Sequence, residues 1–242
     1  MRRHYRPMLA QEADKPFSSN DWIFEVKWDG IRGISYVNKG LSIESRNKKE
    51  LVQNFPELKE LNHITKNTVL DGEIIVMKDG KPDFQALAKR SKTTSVEEIK
   101  RLSQALPSNY IVFDILEKDG KPLLDVPLIN RKKILKDSVR DGTFVVVSSY
   151  VETQGEQYYE AAIAKNMEGV MAKKKDSHYQ PGIRSAEWLK IKPTRTCDCV
   201  IFGYTVGKGA REYTFGALVL GMFDGNEATY VGKEGQVSIR NS

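Results

Sequence analysis

Cysteine is almost missing, with Cys197 and Cys199 the only two in 242 residues. A structural zinc site needs four ligands and a disulfide framework a larger even set, so neither holds this chain together. Separated by one residue, the two thiols would share a face of a strand, and such sparing use points to a reduced, cytoplasmic interior. A long apolar run is also absent: charged residues make up 29% of the chain and interrupt every hydrophobic stretch, which excludes a helical membrane span. The opening Met1-Arg-Arg-His-Tyr-Arg-Pro is basic but lacks the apolar segment of a secretory signal. No repeat of solenoid length and no low-complexity tract is present. What remains is a globular composition, 40% hydrophobic, in a length that suits one large domain or one and a half small ones. Lys and Arg number 38 against 32 Asp and Glu, and the resulting charge of +6 is compatible with a polyanionic partner without requiring one.

Strand-like runs dominate the first half, at 22–27, 31–38, 41–46, 69–77 and 110–116, rich in β-branched and aromatic residues and bounded by Gly, Asp or Asn. Helical stretches fall between and after them. Ser95 with Glu98 and Thr153 with Glu156 have the spacing of capping boxes, and 130–136 is a shorter helical segment. Strands resume at 169–174 and 188–191. Beyond Pro193 the pattern becomes short strands at 200–206, 217–223 and 229–231, joined by Gly-rich turns with no helix signal. The expectation is an antiparallel-rich α+β domain over 1–193 followed by the opening of an all-β module over 194–242.

Five segments place chemically capable side chains together. In a strand over 22–27, Glu25 and Lys27 share one face and Phe24 and Val26 the other, so a lysine is presented at the strand end beside the Asp29-Gly30 turn. A solvated lysine before an ordinary hairpin is the competing reading. Asp71 and Glu73 likewise share a face, opposite Leu70, Gly72 and Ile74; a carboxylate pair can hold Mg²⁺, or simply face solvent. Glu168 precedes an apolar strand that ends in Lys173-Lys174-Lys175, a run that by itself reads as a solvated turn. In 188–192, Leu189 and Ile191 point to a core while Trp188, Lys190 and Lys192 point the other way. Two adjacent lysines suit a phosphate, or protect an edge strand. Phe113 can stack on a base or fill the core.

Taken in order, EVKWDGIR (25–32), SRN (45–47), LDGEI (70–74), YIVFDIL (110–116), EGVMAKK (168–174) and WLKIK (188–192) resemble the nucleotidyltransferase motifs of ATP-dependent DNA ligases. With Pro7-Met8-Leu9-Ala10, Phe84-Gln85-Ala86-Leu87 and Tyr179-Gln180-Pro181-Gly182-Ile183-Arg184-Ser185, the chain is most similar to the ligase domain of prokaryotic non-homologous end-joining enzymes. Each motif alone is weak; six in the family order are a strong signal. The resemblance implies an ATP-grasp-like nucleotidyltransferase domain of antiparallel sheets with flanking helices, followed by the start of an OB-fold barrel.

It also implies an ATP-dependent reaction in three steps. The Lys27 amine attacks the α-phosphate of ATP and carries AMP, AMP passes to a DNA 5′-phosphate, and a 3′-hydroxyl displaces it. A free lysine is mostly protonated at neutral pH, so cationic neighbours, here Lys190, Lys192 and a bound Mg²⁺ or Mn²⁺, are expected to favour the nucleophilic amine and neutralise the departing pyrophosphate. By the same resemblance Glu25 contacts adenine, Phe113 and Met171 sandwich it, Arg32 and Arg46 contact the nucleotide, and Glu73 binds ribose near the metal. Glu168 is the metal-site acid, and Arg184, Lys190 and Lys192 contact the adenylate and its phosphates. Asp29 and Asp71 are assigned to turns and to orienting neighbours, and Lys173, Lys208 and Arg211 are weaker candidates for phosphate.

The partners implied are nicked or broken duplex DNA and end-joining repair proteins, with a monomeric enzyme and no membrane. An OB barrel has five strands, yet only about three are legible after Thr196, and the family's last basic motif has no counterpart. The expectation is therefore an incomplete barrel, an exposed strand edge and slower self-adenylation than in an intact relative. With 26 residues before Lys27, the expectation is that no separate N-terminal DNA-binding domain is present. An RNA ligase or capping-type guanylyltransferase shares the Lys-x-Asp-Gly nucleophile, and a noncatalytic nucleic-acid-binding relative would keep the fold without the adduct.

Overall fold

Alternating β-branched and aromatic runs become strands in the computed structural model, which describes residues 3–193, 198–225 and 227–235. In chain order the elements are β1 (Leu9–Glu12), β2 (Ser19–Val26), β3 (Ile31–Val37), β4 (Leu41–Ser45), a 3₁₀ turn at Pro56–Glu60 leading into α1 (Leu61–Ile64), β5 (Thr68–Lys78) and β6 (Lys81–Pro82). There follow α2 (Phe84–Lys92), α3 (Val96–Ala105), β7 (Ser108–Lys118), β8 (Lys121–Pro122), α4 (Leu128–Ser138), β9 (Val145–Val147) and β10 (Val151–Thr153). Then come α5 (Gly155–Ala164), β11 (Val170–Lys174), β12 (Arg184–Ile191), β13 (Val200–Val206), β14 (Phe215–Asp224) and β15 (Glu227–Glu234). The chain divides into one unit over Met1–Pro193 and another over Thr194–Ser242.

Two sheets build the first unit. One has the order β1-β12-β11-β2-β10; the other runs β4-β3-β5-β7-β8, with β6 on β5 and β9 on β7. They are antiparallel apart from two pairings, which bears out an antiparallel-rich domain and makes mixed the sheets that the resemblance implied to be antiparallel. Strand β1, hidden in a four-residue half-exposed segment, runs parallel to β12, and β9 returns parallel to β7 after the crossover through α4. Met8, Ile34, Tyr36, Phe113, Tyr179 and Trp188 form a cluster to which both sheets contribute. The far face of the seven-stranded sheet packs a larger core with Phe55, Leu58, Leu61, Leu87 and Leu135 from the helical side. The far face of the five-stranded sheet, with Phe24, Val170 and Ile191, packs on Ala162 of α5.

Helix starts follow the sequence only in part. Ser95 caps α3, its hydroxyl accepting the Glu98 N–H at 3.3 Å, but Glu98 turns to Arg101 instead of reaching back. The Thr153 capping box does not form. Thr153 ends β10, Gln154 makes no side-chain cap, and the distant Ser18 hydroxyl accepts the Glu156 N–H at 3.2 Å and donates to its carboxylate at 2.8 Å. Helix α4 extends two residues beyond 130–136 at each end, and α2, capped by Asp83 on the Ala86 N–H, was not anticipated.

The second unit holds a three-stranded antiparallel sheet, β13-β14-β15, with Tyr204, Val206 and Tyr230 exposed. Lys208 precedes, and Arg211 ends, a 3₁₀ turn between β13 and β14. Cys199 precedes β13 outside any strand, so the shared strand face imagined for the thiols is not available to it; Cys197 and residues 236–242 lie outside the described residues. Among the described residues no helix is long and apolar enough to cross a membrane.

Candidate active site

Strand register assembles one wall of the site. Along three neighbouring strands Glu25 of β2 lies opposite Met171 of β11, which lies opposite Lys190 of β12. Two residues on, the Lys27 N–H donates to the Gly169 carbonyl at 2.9 Å, and period-two geometry keeps Lys27 on the face of Glu25. Two residues back, Lys173 stands beside Trp188. Residues more than 160 positions apart in the chain thus form three parallel rows on one surface.

The other sheet supplies the facing wall. Arg32 of β3 pairs in register with Glu73 of β5. Phe113 is the extra residue of a β-bulge: Val112 opposes Gly72 and Asp114 opposes Asp71, leaving Phe113 unpaired between them. A bulge re-aims its side chain, and here the ring turns away from the Val112 and Ile115 core into the space between the sheets. The Arg32 guanidinium lies 4.6 Å from that ring and is held by Asp71 through two hydrogen bonds of 2.5 and 2.6 Å. Tyr179 donates to the same carboxylate at 2.5 Å.

The walls enclose a cavity of about 270 Å³ lined by Glu25, Lys27, Trp28, Arg32, Arg46, Glu73, Phe113, Met171, Lys173, Arg184, Trp188 and Lys190, among others. Ten of the residues given a candidate role from the sequence, Lys173 among them, therefore share one cavity. Lys192 and Glu168 stand outside its lining. They reach it through Lys27, whose amine pairs with Glu168, while Lys192 lies 3.9 Å from that carboxylate. Lys190 is 3.2 Å from Glu12, whose acidity it increases, and Arg184 donates to the Ala10 carbonyl at 2.6 Å.

Several readings of isolated segments are overturned by burial. Asp71 is fully buried, not solvent-facing. Lys173 is not part of a solvated turn: it is buried, donates to Glu25 at 2.5 Å, and lies 4.2 Å from the Phe113 ring and 4.3 Å from that of Trp188. Strand β12 is not an edge, because β1 covers it. The partner of Lys27 is also of opposite sign to the cationic neighbours expected. Sequence reasoning missed Lys132 of α4, whose buried ammonium pairs with Glu25 and donates to the Phe113 carbonyl at 2.7 Å. It missed as well the Arg131–Asp114 pair beneath, two hydrogen bonds of 2.8 Å with both side chains fully buried. In sequence Lys132-Lys133 looks like a solvated helix face, and no spacing signal marks it.

The electrostatics are those of crowded charge. Burial, reinforced by Asp71 and Glu168, pushes the Glu73 carboxyl up to about 7 against the opposing pull of Arg32 and Lys27. Burial and then Glu168 also raise the Asp29 carboxyl. Burial, helped by Lys132, lowers Lys173 to about 8. Glu168 repels both Asp29 and Glu73 beside Lys27, an excess of hard oxygen donors that a divalent cation relieves. Among the described residues no cluster of three or more His, Cys, Asp or Glu forms a self-sufficient metal cage. Mg²⁺ commonly takes only one or two carboxylates together with substrate phosphates, so the donor set fits it in that manner.

The profile of the ATP dependent DNA ligase domain matches residues 7–192. The multifunctional non-homologous end joining protein LigD of Mycolicibacterium smegmatis is 36% identical over 236 residues, covering 96% of this chain and 29% of that protein. The SPbeta prophage-derived DNA ligase-like protein LigB of Bacillus subtilis is 36% identical over 203 residues, covering 82% of this chain and 71% of that one. A mycobacterial DNA ligase D structure complexed with ATP superposes with a TM-score of 0.67 at 27% identity, covering 96% of this chain and 72% of that structure. The chain thus spans less than a third of the multifunctional relative and most of the phage-derived one.

Proposed function

The chain belongs to the ATP-dependent DNA ligase family, and from that membership we propose that it is the adenylating part of an end-joining ligase, with Lys27 as its nucleophile. The observation that carries the reading is the convergence, in one 270 Å³ cavity, of Lys27 with Lys190, Arg184, Arg46 and Arg32 around an aromatic and thioether pair, Phe113 and Met171. A purine fits between apolar faces, and the cations compensate a triphosphate.

In the proposed reaction the Lys27 amine forms an N–P bond to the α-phosphorus of ATP, the bond to pyrophosphate breaks, and the amine proton is released. The DNA 5′-phosphate then takes AMP from Lys27, and a 3′-hydroxyl displaces AMP to close the strand. Lys27 must first leave Glu168. Lys192, already 3.9 Å from that carboxylate, is placed to hold it when Lys27 departs. Lys190 and Arg184 neutralise phosphate charge, and Asp71 fixes Arg32 so that its guanidinium meets the ligand without searching. Glu73 and Glu168 would hold Mg²⁺, which supplies charge neutralisation at the reacting phosphates. The first unit is then the ATP-grasp-like nucleotidyltransferase domain, and the three-stranded sheet the beginning of an OB fold whose Lys208 and Arg211 meet DNA phosphates. Nicked DNA and end-joining repair proteins are the proposed partners.

The test is nick sealing. With Mg²⁺ and ATP the protein is expected to join a nicked DNA duplex, more slowly on RNA, and not at all with NAD. Sealing confined to RNA, or driven by GTP, replaces this reading by the RNA ligase or capping alternative.

A further inference from the structure

The carboxylate of Glu25 is a cavity-wall residue whose two oxygens have different partners. Oε1 pairs with Lys132 and Oε2 accepts from Lys173 at 2.5 Å, and all three side chains are 2% exposed. The two lysines are not equivalent. Lys173 lines the cavity; Lys132 does not, reaching Glu25 from α4 on the far side of the wall, where its amine is also fixed by the Phe113 carbonyl at 2.7 Å. We infer that Lys132 is a positioning residue that sets the choice of purine, by drawing one oxygen of Glu25 into the wall and leaving a single acceptor facing the ligand.

The chemistry of the bases makes this distinction count. A carboxylate free to present both oxygens side by side is a fork, the natural partner of two parallel donors. On its Watson–Crick edge guanine offers such a pair, N1–H beside the 2-amino group, whereas adenine offers only its 6-amino group. With Oε1 anchored by Lys132, Glu25 accepts one donor and denies guanine its second hydrogen bond. Guanine then leaves a buried donor unsatisfied, which is how a polar site rejects a near-isostere. Lys132 thereby acts against the wrong base more than for the right one. Lys173, its ammonium over both the Phe113 and Trp188 rings, keeps Oε2 at the cavity surface.

This inference rests on the cavity being the ATP site, so the experiment separates the two. Formation of the Lys27-linked nucleotide is followed with α-labelled ATP, GTP and ITP, in the wild-type protein and in Lys132→Met, with KM and the limiting rate determined for each. The wild type is expected to prefer ATP to GTP and ITP to GTP, since hypoxanthine lacks the 2-amino group that guanine must bury without an acceptor. In Lys132→Met the ATP preference should fall at least tenfold, chiefly through a lower KM for GTP, and GTP should outrun ITP. A variant whose rates fall together at an unchanged ATP-to-GTP ratio overturns the inference. Should Lys132→Met fail to fold, the wild-type comparison decides alone: a clear advantage of GTP over ITP means the fork forms despite Lys132, and overturns it equally. A wild type that links no nucleotide to Lys27 refutes the ligase reading itself.

Discussion

Lys27 reaches the cavity because β2 ends one residue before it and Gly169 accepts its N–H, so its side chain must follow Glu25 onto the inner face. Replacing Lys27 by Ala removes the only proposed nucleophile, and the expected outcome is complete loss of covalent AMP, read on a denaturing gel. Glu73 adds a pH dependence whose sign is fixed by its environment. Its folded-state value, about 7, lies above the ordinary carboxylate range, so the native state keeps a proton that the unfolded chain has lost. The stability attached to Glu73 is complete in acid and is lost as pH rises from about 4.5 through about 7. Glu73→Gln should therefore raise the melting temperature at about pH 8 and leave it unchanged at about pH 4. Mg²⁺-dependent adenylation of the wild type should climb over the same upper range as the carboxylate ionises; a flat profile between pH 6 and 8 contradicts the role given to Glu73. These two residues were legible in sequence because nucleophile and acids sit in contiguous motifs. Lys132 was not, since its role arises only when α4 packs on β7 and brings a helix lysine within reach of β2.

Among the elements, the strands were read more truly than the caps and bulges. Alternation of side-chain type marks a half-buried strand, and β2, β3, β5 and β12 show it. The bulge at Phe113 inserts a residue without altering composition, so no periodicity betrays it, and the start of α5 is secured by Ser18, 138 positions away. Ser18→Ala should accordingly cost about 1 kcal/mol, as loss of a helix cap does. A larger effect is expected at the head of β11. Gly169 has φ of +148°, and a Cβ built there lies 2.1 Å from the Ile191 carbonyl oxygen, a backbone atom that cannot swing away. Gly169→Ala must separate β11 from β12 or distort the backbone, with an expected loss of about 2 kcal/mol or more in urea unfolding. It should also slow adenylation, because the same residue anchors Lys27. Wild-type stability in that variant would mean that the junction of the two strands is softer than its geometry implies.

At the scale of the whole molecule, the first unit holds its two sheets together over a shared apolar cluster and a buried ionic layer. Arg131 pairs with Asp114 and also donates to the Ser177 carbonyl at 3.0 Å, tying α4 to β7 and to the segment between β11 and β12. Removing one member leaves a buried charge without its partner, so Arg131→Met is expected to lose about 3–5 kcal/mol. Composition foretold the class of this unit and order of motifs its family; topology, with β1 parallel to β12, was settled only by packing. In the proposed function these distant segments meet to make Lys27 a nucleotide-transferring amine. That role is tested most directly by intact-mass measurement of the protein after incubation with ATP and Mg²⁺, followed by peptide mapping. A gain of one AMP, located on Lys27, is expected; an unmodified protein, or AMP on any other residue, contradicts that role for Lys27.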